Sequence, residues 1–216
     1  MRKCLIAFML VAALSGRAAP LSHEPRNLDL GKQEIRTYVE SGQYDHDLAA
    51  VAAEAAIWLD QRTKQGGARL AVVFDLDETL LSNWPHLVAD DFAYIPASWT
   101  AWVAEGKAPA VAPVRELYRR ARRLGLEVVF MSGRRERDRP GTEKNLRAIG
   151  CGDYTALLLT PDGAKETTGA FKLAHRRRLQ AEGHVIIANI GDQESDFAGD
   201  FAERTFKLPD PFYITK

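Results

Sequence analysis

Soft metal ligands are scarce in this 216-residue chain, which has two cysteines, three methionines and five histidines. Neither sign of charge is in excess, with 29 basic and 29 acidic residues. Each shortage excludes something. The two cysteines, Cys4 and Cys151, cannot build a disulfide framework. Cys151 sits between Gly150 and Gly152 with no His or basic group nearby in sequence to activate it, so it reads as structural. His23, His46, His86, His175 and His184 show no His-x-x-x-His spacing, and only His86 lies close to a candidate motif. Gly150-x-Gly152 lacks the third glycine of a dinucleotide loop, which disfavours a nicotinamide cofactor. A balanced charge weakens any case for binding a nucleic-acid polymer. The one long apolar run, Cys4 to Leu14, is too short to span a bilayer.

That run follows Arg2 and Lys3 and precedes Gly16, Arg17 and Ala18, the pattern of a cleaved secretory signal over residues 1–18. Loss of Arg2, Lys3 and Arg17 leaves the remainder mildly acidic. The expected location is secreted or periplasmic, with no membrane contact after cleavage, since Cys4 lacks the small-residue context of a lipidated cysteine. Nothing indicates an oligomer. Residues 19–216 are enough for one α/β domain with a sizeable core.

Hydrophobic residues make up 46% of the chain, which suits a packed globule. Leu28–Ser41 and Asp45–Gln65 are predicted helices. In the second, Leu48, Val51, Ala52, Ala55, Ile57, Trp58 and Leu59 form a broad apolar face. A continuous apolar run at Leu70–Phe74 and similar, mainly apolar stretches at Leu126–Met131, Ala156–Leu159 and Val185–Ile190 suit strands buried on both faces, with a short fifth strand at Arg204–Leu208. Helical patterns fill the gaps at Val114–Leu124, Thr142–Ile149 and Ala170–Glu182. The fold class expected is α/β: a three-layer, Rossmann-like parallel sheet with helices on both faces. Residues 83–113 interrupt the rhythm with three of the four tryptophans, Trp84, Trp99 and Trp102, and are expected to form a small, mainly helical cap.

Ligands of open α/β sheets bind beyond the carboxyl ends of the strands. The first strand ends in Asp75-Leu76-Asp77. Two carboxylates two residues apart repel unless a cation or proton intervenes, which suits a hard divalent cation or a nucleophile paired with an acid/base. A polar turn after a strand is the plain alternative. The second strand ends in Ser132-Gly133-Arg134, whose hydroxyl and backbone N–H groups could hold an anionic oxygen. Arg135, Arg137 and Arg139 read as a solvated loop. Lys172 opens the third of the later helices, where the dipole disfavours a cation, and Lys165 is its rival. The fourth strand ends in Gly191-Asp192-Gln193-Glu194-Ser195-Asp196, in which Asp192 or Ser195 could also be a simple helix cap. Trp84, Trp99 and Trp102, with Phe92 and Tyr94, are either core or the wall of a pocket for an aromatic leaving group.

With those residues in place, Val73–Asn83 resembles the first motif of the haloacid dehalogenase superfamily. The likeness is closest to its acid phosphatase branch, subfamily IIIB, which includes class B-type enzymes, plant acid phosphatases and vegetative storage proteins. Glu105–Pro109, Thr142–Leu146, Gly191–Asp196 and Phe206–Pro209 resemble the plant-type members, and the likeness runs from about residue 30 to the C-terminus. The resemblance implies a Mg²⁺-dependent phosphatase for small phosphate monoesters, 5′-nucleotides among them. It implies Asp75 as nucleophile, forming an aspartyl-phosphate, and Asp77 as general acid and then base. Ser132, with Gly133, Arg134 and Trp84, would bind the substrate, and Lys172 would neutralise charge. Asp75, Asp77 (through its carbonyl), Asp192 and Asp196 would hold Mg²⁺. The spacing of Lys172 to Arg176 and Gly183 fits the family pattern better than that of Lys165. The family includes storage proteins, so a non-catalytic role on the same scaffold is the alternative, as is a phosphotransferase.

Overall fold

The computed structural model describes residues 25–199 and 201–215. The expected signal segment, with Cys4, lies outside the described residues. Among those described, no helix is long and apolar enough to cross a membrane.

Five parallel strands run β1 Leu70–Phe74, β2 Glu127–Arg135, β3 Ala156–Thr160, β4 Val185–Gly191 and β5 Thr205–Lys207, in the sheet order β3-β2-β1-β4-β5. β1, carrying the first acidic motif, is therefore central, with β2 and β4 on either side. Among the described residues, seven α-helices accompany the strands: α1 Leu28–Glu40, α2 Gln43–Thr63, α3 Trp84–Ala89, α4 Pro96–Glu105, α5 Ala112–Arg123, α6 Arg139–Ala148 and α7 Thr168–Ala181. This is the parallel α/β sheet that the alternation of apolar runs and helical patterns predicts.

Side chains of a strand alternate faces, and the core divides accordingly. Val72 and Phe74 of β1 and Val128 and Phe130 of β2 join the larger cluster with Leu48 and Leu59 of α2, Leu117 of α5 and Leu146 of α6. Val73, Val129 and Met131 point the other way, to Leu179 of α7 and Ile186. Both faces are covered, which is why the strands read as largely apolar runs rather than as alternating ones. In α2 the buried stripe is narrower than expected: Ile57 is 58% exposed, while Trp58 is half-buried and donates its indole N–H to the Ile187 carbonyl at 2.7 Å.

Two boundaries differ from the sequence expectation in ways that matter for the site. β2 does not stop at Met131 but continues to Arg135, so Ser132, Gly133 and Arg134 lie on the strand rather than in a turn after it. Its pairing with β3 shifts register between Ser132 and Arg135, the irregularity that lets the strand turn these residues inward. Lys172 is the fifth residue of α7, whose start is capped by Thr167, and so stands a full turn inside the helix rather than at its opening.

The long connection from β1 to α5 contains two short helices, α3 and α4, each with a proline in its first turn. Its two ends are tied together. The Ser82 N–H donates to the Pro109 carbonyl at 2.8 Å and the Val111 N–H to the Leu80 carbonyl at 3.0 Å. Gly141 of α6 lies against the backbone of Val103 and Ala104 in α4 so closely that a Cβ there would collide with it. The excursion is thereby packed down beside the carboxyl ends of β1 and β2.

Candidate active site

A cavity of about 580 Å³ opens at the carboxyl ends of the strands. Asp75, Gly133, Lys172 and Asp192 lie in its floor, and Trp99 and Tyr213 are among its walls. Three chain segments distant in sequence meet there because β1, β2 and β4 are adjacent and parallel.

One half of the floor is acidic. Asp75 follows β1, its N–H bonded to the Ile190 carbonyl of β4 at 2.9 Å. Asp192 follows β4, and Asp196 closes a single 3-10 turn after it. One carboxylate oxygen from each of Asp75, Asp192 and Asp196 lies within 4.8 Å of the others, and all three residues are buried. The Lys172 ammonium donates to Asp75 Oδ1 and, at 2.5 Å, to Asp196 Oδ1. Gly191 makes the close approach of Asp196 feasible, since any Cβ there would strike its carboxylate. The second oxygen of Asp196 accepts the Gln193 N–H at 2.9 Å. Asp192 accepts from the Thr79 hydroxyl at 2.8 Å and the Gln193 amide at 2.7 Å.

One ammonium reaches two of the three carboxylates, Asp75 and Asp196, and the surplus of negative charge shows in the proton affinities of Asp75 and Asp192. Burial pushes the Asp75 carboxyl up to about 7; Lys172 pulls against this, and Asp196 and Asp77 add to it. Burial and then the charges of Asp75, Asp196 and Asp210 hold Asp192 well above the usual carboxylate range. Burial opposes the charge on Lys172, but Asp75 and Asp196 outweigh it and keep the ammonium protonated. A buried oxygen cluster with surplus negative charge is what a hard divalent cation requires, so the residues fit Mg²⁺ or a similar ion.

The other half of the floor is self-neutralised. Asp77 turns toward β2, where the Arg134 guanidinium donates to its Oδ1 at 2.6 Å and its Oδ2 at 3.0 Å. Burial acts to raise the Asp77 carboxyl, but Arg134 and the Asn83 amide outweigh it and hold it below the usual range. The Ser132 hydroxyl is 3.5 Å from Asp77 Oδ2 and accepts the Arg134 N–H at 3.1 Å. Arg134 is buried, with its guanidinium 5.6 Å from the centre of the Trp99 ring. Arg134, expected to meet substrate, is thus engaged by Asp77. The Asp77 carboxylate is not one of the three that cluster.

Trp84, expected against the substrate, is placed elsewhere. Its ring packs at 5.9 Å from Phe92 and 5.7 Å from Phe212, and it is not among the residues lining the cavity. Trp99, on α4 beside the Arg134 guanidinium, lines the cavity instead, whereas Trp84 opens α3 and is drawn into an aromatic cluster. His86 is buried, stacked on Trp102 at 5.7 Å, and also lines the cavity. Cys151 is a free, buried thiol whose burial pushes it up to about 11.

Sequence reading missed several members of this site. Asn83 donates its amide to Asp77 Oδ1 at 2.9 Å and to Glu78 Oε2 at 3.0 Å, and its oxygen accepts the Trp102 indole N–H at 2.8 Å. Glu78 is buried; burial and Asp77 push its carboxyl up to about 8, with Tyr213 and Asn83 pulling the other way. Tyr213 reaches Glu78 from the far end of the chain. The acidic Asp-x-Asp-Glu run followed by Asn was visible in the sequence, but nothing local says that a distant tyrosine completes it.

A sequence model of HAD superfamily subfamily IIIB (acid phosphatase) matches residues 10–216. Vegetative storage protein 1 of Arabidopsis thaliana is 32% identical over 196 residues, covering 87% of this chain and 73% of that protein. Acid phosphatase 1 of Solanum lycopersicum is 33% identical over 184 residues, covering 83% of this chain and 72% of that protein. The class C acid phosphatase from Bacillus anthracis, solved with tungstate bound, superposes with a TM-score of 0.72 over 87% of each chain at 24% identity, a likeness of fold. A parallel sheet with carboxylates gathered at its carboxyl edge, and a sequence match over nearly the whole chain, place the protein in the acid phosphatase subfamily IIIB of the HAD superfamily, as a hydrolase of phosphoric monoesters.

Proposed function

We propose that the protein hydrolyses small phosphate monoesters, 5′-nucleotides among them, with Mg²⁺ and through an aspartyl-phosphate on Asp75. The observation that carries this reading is the convergence of Asp75, Asp192 and Asp196 within 4.8 Å, bridged by Lys172 between Asp75 and Asp196. Asp75, Asp192 and Asp196, with the Asp77 carbonyl, would hold the ion, which supplies charge neutralisation that lets an anionic ester approach anionic carboxylates.

An ionised Asp75 oxygen attacks phosphorus in line; the ester P–O bond breaks and its electron pair leaves with the alcohol oxygen. Lys172 faces the charge that accumulates on Asp75 and the phosphoryl oxygens. Gly133, on the cavity floor, permits close approach of the β2 backbone, and the Ser132 hydroxyl is the proposed side-chain donor to a phosphoryl oxygen. Asp77 gives a proton to the departing oxygen, then takes one from the water that cleaves the acyl phosphate, which restores both carboxyls and releases phosphate. Arg134 holds Asp77 ionised in the free site; the incoming dianion opposes Arg134 and favours protonation of Asp77 at the moment a proton is needed. Export through the 1–18 segment to a secreted or periplasmic location belongs to the same proposal.

The test is a panel of nucleotides, sugar phosphates and aryl phosphates with and without chelator. Asp75→Asn is expected to lose turnover of p-nitrophenyl phosphate by at least about three orders of magnitude while the fold persists. Near-normal hydrolysis by that variant, or indifference to chelator, would overturn the nucleophile or the metal respectively. Recovery of a phosphorylated alcohol when a nucleoside is added would instead mark a phosphotransferase. Five of the similar plant proteins bear storage-protein or stem-glycoprotein names, and a chain inert across the panel with Mg²⁺ present would favour that role.

A further inference from the structure

The segment after β5 folds back over the active site, and nothing in the proposed chemistry uses it. Phe212 packs its ring 5.4 Å from Tyr44 of α2 and 5.7 Å from Trp84 of α3. The Thr215 N–H donates to Gln193 Oε1 at 2.8 Å, and the Gln193 amide donates to Asp210 and to Asp192. These ties deliver the Tyr213 hydroxyl to Glu78 Oε2, while the ring lines the cavity. Glu78 lies in the left-handed region, at φ 55°, a conformation uncommon for a residue with a side chain, and its carboxylate is buried beneath Asp77.

We infer that Tyr213 is a positioning residue for Asp77, acting through Glu78 and Asn83. The inference rests on the role proposed above for Asp77. Asn83 spends every polar group of its side chain: the oxygen on Trp102, one amide hydrogen on Glu78 and the other on Asp77. Its orientation therefore depends on Glu78 together with Trp102 and Asp77. Glu78 Oε1 accepts the Asn83 backbone N–H at 2.7 Å, and Oε2 accepts the Asn83 amide and the Tyr213 hydroxyl. Removing the hydroxyl leaves the buried carboxyl held by Asn83 alone, so that it and the Asn83 amide can shift together. Asp77 then keeps Arg134 but loses the hydrogen bond that fixes which oxygen faces the cavity. Buried polar chains of this kind act as units, and a displacement of an ångström at a reacting group costs far more rate than binding.

Tyr213→Phe removes only the hydroxyl. Its expected effect is a fall in kcat of about tenfold with KM within about twofold and an unchanged melting transition. In an Asn83→Ala background the same change should cost nothing more, because the chain to Asp77 is already cut. Glu78→Gln should reproduce the kcat loss, since an amide opposes the donors of Asn83, and it carries the same cycle with Asn83→Ala if Tyr213→Phe does not fold. Full kcat in Tyr213→Phe, a loss confined to KM, or an undiminished loss on top of Asn83→Ala would overturn the inference. Asp77→Asn is measured alongside: wild-type turnover there removes the Asp77 role itself, whereas its collapse together with an inert Tyr213→Phe removes only the inference.

Discussion

The two halves of the cavity floor use the same residue types to opposite ends. Asp75, Asp192 and Asp196 cluster beside one ammonium, which pairs with Asp75 and Asp196, and Asp75 and Asp192 have their carboxyls pushed up. Asp77 has a guanidinium to itself and is held down. Both halves are buried, so desolvation alone does not separate them. The ratio of cationic to anionic groups does. The acidic half carries surplus negative charge that a cation from outside would offset; the Asp77 half is neutralised by its own guanidinium.

This contrast can be broken from either side. Arg134→Met would leave Asp77 buried without its partner and should cost about 3–5 kcal/mol in urea unfolding. Addition of Mg²⁺ to the wild type should raise stability by about 2.7 kcal/mol at a hundredfold excess over its Kd, read as a shift in melting temperature, and leave an Asp192→Asn variant nearly unmoved. The same Asp192→Asn change, made without metal, should stabilise the protein by about 1 kcal/mol. It removes surplus charge, while Thr79 and Gln193 can still bond the new amide once the Thr79 hydroxyl reverses. Opposite signs for Arg134→Met and Asp192→Asn are the signature of the two halves, and equal signs would dissolve the distinction.

The mildest effect is a slope with pH. Asp75 at about 7 and Glu78 at about 8 bind protons more tightly folded than unfolded, where carboxyls titrate near about 4. Their contribution is fully present below the unfolded value and is lost as pH rises through the folded one. Asp77 has the opposite sign: its contribution is present above the unfolded value and lost as pH falls through the depressed one. The metal-free protein should therefore melt higher at pH 5 than at pH 8, then lose stability on further acidification. Mg²⁺ should flatten the first limb by favouring ionised Asp75. A melting curve already flat between pH 5 and pH 8 without metal would show that the acidic half is not strained by its charge.

Much of the fold was readable because its causes are local. Leu70–Phe74 is apolar throughout and Val185–Ile190 is apolar but for Asn189, since both sheet faces are covered, and Asp75 and Asp192 stand out as the first polar residues after these runs. The extension of β2 to Arg135 was hidden, because polar residues at a strand end look like a turn until the register against β3 is known. The assignment of Trp84 and Trp99 to cluster and cavity was hidden for a similar reason. Both are tryptophans in one short helical excursion, and only packing against Phe212 or Arg134 distinguishes them.

Burial patterns, helix periods and the order of acidic motifs depend on neighbours along the chain, so the sequence alone determined an α/β sheet with carboxylates at its carboxyl edge. Which carboxylate received Arg134, which shared Lys172, and that Tyr213 reaches Glu78 were decided only in the tertiary structure. Charge compensation acts through space over a few ångströms, and residues 57, 97 and 135 positions apart come that close only after the strands have paired.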